Sequence, residues 1–212
     1  MIKLFKKIIF IVILFIMYFF ICAFSYSKAV SADIANSVFR LHVIANSNSV
    51  DDQNLKYLVR DELLKYMNEI SKNATSKEEA IQLAKDNLNS FYTIAKKIIS
   101  ENGYDYSVKI YIGKSDFPTK YYGDIALPAG NYDSLKVEIG SAKGENWWCV
   151  MFPPLCFVDV TSGIVPQESK ELIKDNLSSE EYMVISNNNK NNTVQFKFKV
   201  LELFQSIKLA NK

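Results

Sequence analysis

The chain has 212 residues, of which 49% are apolar and 13% aromatic, enough for one domain of ordinary size with a real core. The formal charge of +2 is unevenly placed: Lys3, Lys6, Lys7 and Lys28 all precede the first acid, Asp33, and without them 21 basic residues face 23 acidic ones, a net −2. A nucleic-acid binder carries its basic face on the domain itself, and nothing in this mildly acidic domain requires one. Seven glycines, with no Gly-x-Gly-x-x-Gly, P-loop or Gly-x-Ser-x-Gly pattern, leave no phosphate cradle and no nucleophile elbow.

The first element is an export signal. Lys3, Lys6 and Lys7 form a positive start, and Ile8 to Phe24 then runs for about 17 residues without a charge or a glycine, at the lower limit for spanning a bilayer. Small residues follow, and Ser27-Lys28-Ala29 and Ala29-Val30-Ser31 both fit a peptidase site. A secretory signal over residues 1–32 is the first reading and an uncleaved anchor the second. Either way the lysines stay inside and Ala32 onward lies outside the cytoplasm. No small residue directly precedes Cys22, which argues against a lipoprotein site.

Residues 33–212 are expected to form a single exported domain. Val38 to Ala45 alternates as a strand, and Asn46-Ser47-Asn48-Ser49 breaks it. Ser49 caps a helix with Asp52 as the capping-box acid, and Leu55, Leu58, Val59, Leu63, Met67 and Ile70 make its core stripe. Ser76 and Glu79 open a second helix that Asn102-Gly103 ends, so the two form an α-hairpin. From Tyr104 to Ile112 the period is two, a half-buried strand. Tyr121 to Leu127 is a weaker strand, and across Pro128-Ala129-Gly130 it is expected to pair with Leu135 to Ile139 as a hairpin.

Gly144–Asp159 holds both tryptophans and two of the three cysteines, and from Trp147 to Phe152 no residue is charged or small. Closed by Pro153-Pro154, the run is expected to be a strand buried on both faces. Cys149 and Cys156 lie close enough to pair across that turn, or to remain two buried thiols. Pro166 opens a short helix, Ser178 or Ser179 another, and Val194 to Val200 alternates again before a helical end. The class is α+β: a largely antiparallel sheet covered by an N-terminal α-hairpin and short C-terminal helices, preceded by the signal or anchor helix.

Catalytic chemistry is thinly provided. A single His and no Cys pair at zinc-ligand spacing argue against a metal, and no cofactor or small-molecule substrate is expected. The sharpest enzymatic reading is a hydrolase using Cys149 or Cys156 with His42 as base and Asp159 or Asn46 as orienter. Asp159-Val-Thr-Ser-Gly163 departs from an aspartic-protease triplet and is expected to be a strand end. Recognition is better served: Arg40, His42, Asn46, Asp52 and Arg60 gather where a strand passes into a helix, and Trp147 and Trp148 suit either a core or a partner-facing hot spot.

Longer stretches carry a resemblance. Phe39-Arg-Leu-His-Val-Ile-Ala-Asn-Ser47, Asp52-Gln-x-Leu-Lys56 and Val59-Arg-Asp61 resemble the opening of the stage II sporulation protein R family. Leu127-Pro-Ala-Gly130, Val137-Glu-Ile-Gly140, the block from Asn146 to Phe157, and Glu202-Leu-Phe-Gln205 are similar to its later parts. The resemblance implies an intercellular signal of endospore formation, made in the forespore and exported across the inner forespore membrane. Its implied partner is a membrane-embedded aspartic protease of the mother cell that processes pro-sigma-E.

Overall fold

The computed structural model describes residues 2–156, 165 and 167–186. The expected Asp159–Gly163 turn and the Val194–Val200 strand with its helical end lie outside them. Helix α1 runs without a break from Ile2 to Ser37. Its segment Leu4–Cys22 has a mean hydropathy of 2.5 with none of it buried, long and apolar enough to cross a membrane. The other end of the same helix enters the domain, where Ile34, Ala35 and the following Val38 are buried.

The remaining elements are β1 (Phe39–Ile44), α2 (Val50–Ile70), α3 (Lys77–Asp86), α4 (Leu88–Glu101), β2 (Val108–Phe117), β3 (Lys120–Tyr122), β4 (Ile125–Leu127), β5 (Gly130–Ile139), β6 (Asn146–Phe152), α5 (Gln167–Asn176) and α6 (Ser179–Ile185). Ser49, Ser76 and Ser178 each accept a backbone N–H from the third residue of the helix they precede. These bonds satisfy donors that a helix start otherwise leaves open. The full reciprocal box forms at Ser178 and Glu181. The Glu79 carboxylate instead reaches Thr75, and that of Asp52 reaches Ser47 and Asn46.

The expected second helix is in fact two. Asn87 ends α3 and begins α4, and its side chain bonds back to the Leu83 carbonyl. An asparagine that satisfies its own helix end competes with continuation. Leu58, expected in the core stripe, is exposed, but Leu63, Met67, Phe91 and Ile99 of the α2–α4 layer share one core with the sheet. Truncating any of these to alanine costs about 2–5 kcal/mol.

The main sheet has the order β2-β5-β1-β6, with β1–β5 parallel and the outer pairs antiparallel. The helical layer supplies the crossover that a parallel pair requires. The hairpin expected between Tyr121–Leu127 and Leu135–Ile139 is not formed. Instead β3 and β4 pair with each other as a separate two-stranded sheet, inserted between the long partners β2 and β5. The strand buried on both faces is also not the tryptophan strand. All six residues of β1 are buried, whereas β6 is an edge strand whose first three residues are exposed or half-buried.

Two layers explain that burial. The α2–α4 helices cover the face carrying Leu41, Val43, Val137 and Cys149. The end of α1, the β3–β4 pair, α5 and α6 enclose Phe117, Tyr132, Val150, Ile173 and Ile185 on the other. Residues Cys149 to Phe152 are buried between the two layers. A run can therefore be apolar on both faces without being central in its sheet.

Candidate functional site

Neighbouring positions on β1 and β6 project to opposite faces of the sheet, so the seven residues proposed for recognition separate into three places. Asn46 and Asp52 form an internal clasp. Asn46 donates to the Asp52 carboxylate at 2.8 Å and accepts from the Ser141 backbone N–H at 2.9 Å. Ser47 also donates to Asp52, at 2.5 Å. The loop between β5 and β6 closes over this turn through Gly144 N–H to the Ala45 carbonyl, 2.9 Å, and Glu145 N–H to Asn48 Oδ1, 2.7 Å. A side chain on Gly140, at φ +58°, would overlap the Asn46 amide, and one on Gly144 would strike the Ser47 carbonyl. Burial pushes the Asp52 carboxyl up, but hydrogen bonds from Ser47 and Asn46 outweigh that and hold it below its ordinary range.

Arg40 is wholly buried. Its guanidinium carbon lies 4.0 Å from the centre of the Phe117 ring and 4.6 Å from that of Tyr132. Nη2 donates to the Tyr122 hydroxyl at 2.9 Å, and the buried Nη1 has no partner. Burial pushes the hydroxyls of Tyr122 and Tyr132 up, with the guanidinium pulling the other way, so both stay neutral. Nε donates to the Cys149 carbonyl at 3.5 Å, so the charge is held by aromatic faces, a phenol and one backbone carbonyl. It ties β3 to the main sheet and is closed to a partner.

The remaining four residues flank the edge strand. On the α2 face, Trp147 meets Tyr57 edge-on at 5.5 Å, and the Arg60 guanidinium lies 4.2 Å from the Trp147 ring centre while Arg60 Nη2 holds Asp61 at 2.7 Å. On the other face, Trp148 stacks with His42 at 6.0 Å between ring centres, and Lys120 Nζ lies 4.7 Å from the Trp148 ring centre. His42 Nε2 and Asn146 Oδ1 are 2.6 Å apart, while the buried Nδ1 has no partner. Burial pushes the imidazole pKa down against the raising effect of Asn146, which keeps the ring neutral near pH 7. Tyr57, Lys120 and Asn146 were not singled out from the sequence. The aromatic and cationic residue types were visible, but their register against the tryptophans was not.

Cys149 and Cys156 form a disulfide with Cα atoms 5.5 Å apart. Cys149 sits on the α2–α4 face beside Leu41, while His42 points to the opposite face with Trp148 and Phe117. The structure therefore does not bring a cysteine nucleophile and the imidazole together. Among the described residues no group of three His, Cys, Asp or Glu side chains is placed to hold a metal.

These features define a class: a mixed α/β domain carried on a membrane-length helix, with its half-exposed aromatic and cationic chemistry gathered on one sheet edge. The chain belongs to the stage II sporulation protein R family, whose model matches residues 35–162. It is 40% identical over 143 residues to the stage II sporulation protein R of Bacillus subtilis (strain 168), a match covering 66% of this chain and 64% of that relative. The matched part is thus a little under two thirds of the relative's length. No solved structure matches the chain.

Proposed function

We propose that the chain is a contact signal of endospore formation, exported from the forespore across its inner membrane. There it biases the membrane-embedded aspartic protease of the mother cell toward the state that processes pro-sigma-E. The observation that carries this reading is the family match over residues 35–162, read together with the apolar helix Leu4–Cys22. A signal that shifts a partner's equilibrium must bind the active arrangement more tightly than the inactive one. The flanks of β6 suit that work, because aromatic residues and arginine supply most contact energy at interfaces. Arg60, Trp147, Trp148 and His42 remain as contact candidates, while Arg40, Asn46 and Asp52 support the frame behind them.

The test is placement. A version lacking residues 2–22, produced in the forespore and verified as folded, is expected to leave pro-sigma-E unprocessed. Refitting it with an unrelated export signal is expected to restore processing. Full processing by the cytosolic version would refute the proposal.

A further inference from the structure

We propose that protonation of His42 loosens the start of β6 and weakens the hold of this edge on a partner; this rests on the reading of the chain as a binding signal and says how that same site is regulated. His42 is 8% exposed and is the only histidine of the chain. Asn146 Oδ1 can only accept, so His42 Nε2 carries the proton of their 2.6 Å bond. The neutral ring then presents a bare lone pair at Nδ1, which is buried and without a partner. A second proton there makes a charged donor with no acceptor beside it, which costs more than a neutral orphan.

The surroundings of the ring are already cationic. His42 lies against Phe117 at 5.8 Å and against Trp148 at 6.0 Å between ring centres. The Arg40 guanidinium is 4.0 Å from the Phe117 ring centre, and Lys120 Nζ is 4.7 Å from that of Trp148. A protonated imidazole thus adds a second cation to each ring. Lys136 and Glu138 face His42 from β5. The Glu138 carboxylate is already held by Lys136 Nζ at 2.9 Å and by the Tyr111 hydroxyl at 3.1 Å. The charged ring finds an acceptor by turning Nδ1 to water, which breaks both the stack on Trp148 and the bond to Asn146. Asn146, Trp147 and Trp148 are the exposed or half-buried start of β6.

Both tryptophans lie on β6 and the chain has one histidine, so tryptophan emission follows the His42 proton. In the full chain in detergent micelles, emission is expected to change in one step below about pH 6.5 as the pH falls from about 8 to about 5. Protection of the Asn146–Trp148 amides, corrected for intrinsic exchange, is expected to fall about tenfold over the same step. His42→Gln is expected to remove both changes. Lys136→Gln takes a cation from beside the ring and is expected to move the midpoint up by about half a pH unit. Pro-sigma-E processing by the membrane-reconstituted protease is then followed at about pH 7.5 and about pH 5, each chain against its own rate at the higher pH. The wild type is expected to lose at least about threefold more than His42→Gln. A flat profile in the wild type, a step that survives His42→Gln, a midpoint unmoved by Lys136→Gln, or equal losses of processing would each overturn the proposal. The titration is read without any protease. If the wild type supports no processing at either pH, the signalling reading fails and the titration alone decides the proton step. If processing occurs with equal losses, the regulation fails and the signalling reading stands.

Discussion

The Asn46 side-chain amide and the Asp52 carboxylate meet at 2.8 Å across the turn between β1 and α2, and the same asparagine holds the loop that leads into β6. The β6 edge is therefore positioned by a polar clasp as well as by its pairing with β1. Asn46→Ala removes bonds at both ends of the clasp and leaves Asp52 short of a donor. A loss of about 1–3 kcal/mol is expected in urea unfolding. A variant within 0.5 kcal/mol of wild type, by the same ~1 kcal/mol scale for a single bond, would show that the clasp is incidental.

Asp52 and His42 give stability two separate pH dependences. The Asp52 carboxyl is held below its unfolded value, so its contribution is whole above about pH 4 and is lost as pH falls through the lowered folded value. The His42 imidazole is also depressed, so the unfolded chain takes the proton first. Stability then falls as pH drops below about 6.5 and levels off past the folded value. Thermal midpoints measured from pH 8 to pH 3 are expected to show both slopes. His42→Gln should flatten the upper one alone, and Asp52→Asn should lessen the lower one, to which the depressed carboxyls of Glu79, Asp133 and Glu138 also contribute.

Arg40 separates charge from volume. Removing its side chain empties the space between Phe117 and Tyr132 and takes a donor from the Tyr122 hydroxyl, which keeps only its bond to the Trp148 carbonyl. Arg40→Ala is therefore expected to cost about 3–5 kcal/mol. Arg40→Met refills much of the volume with no buried charge and is expected to fall within about 1.5 kcal/mol of wild type. Equal losses in the two variants would mean that the cation itself, rather than the packing, holds β3 on the sheet.

The Cys149–Cys156 bridge closes a short loop at the end of β6, next to the Phe152–Pro153 cis peptide. A loop of this length stabilises by about 2–3 kcal/mol at most in the chain-entropy model. The double Cys→Ser variant is expected to fold, to lose about that amount, and to keep its signalling activity. Thiol labelling of the purified wild-type chain should reach these two cysteines only after reductant. Loss of signalling in a folded double variant would revive the cysteine-nucleophile reading.

Local patterns and long-range placement were unequally legible in the sequence. Ser49 and Ser76 announced their helices, and Ser178 was one of two candidates for its own, because a cap is a contact within four residues. The apolar stripe of α2 announced the face it buries, apart from Leu58, which is exposed. Strand order was hidden. Nothing in Val-Phe-Arg-Leu-His-Val-Ile says that Arg40 and His42 are as buried as their apolar neighbours, because, apart from the end of α1, the layer covering that face comes from β3, β4 and the C-terminal helices, about eighty residues and more away. Trp147 to Phe152 looked central for the same reason: composition records how much of a strand is covered, not whether a neighbour pairs on each side. The candidate site was legible as residue types, and the division of Trp147 and Trp148 between two faces followed from alternation. The partnership of Arg60 with Trp147 and of Lys120 with Trp148 depends on packing between elements and had no local signature.

The most direct measurement combines the purified full chain with the membrane-reconstituted mother-cell protease and follows the conversion of pro-sigma-E. Cleavage is expected only when all three are present, to rise and saturate with the amount of this chain, and to persist in the double Cys→Ser variant. Cleavage at the same rate without this chain, or cleavage by this chain without the protease, would contradict a signal that acts by contact.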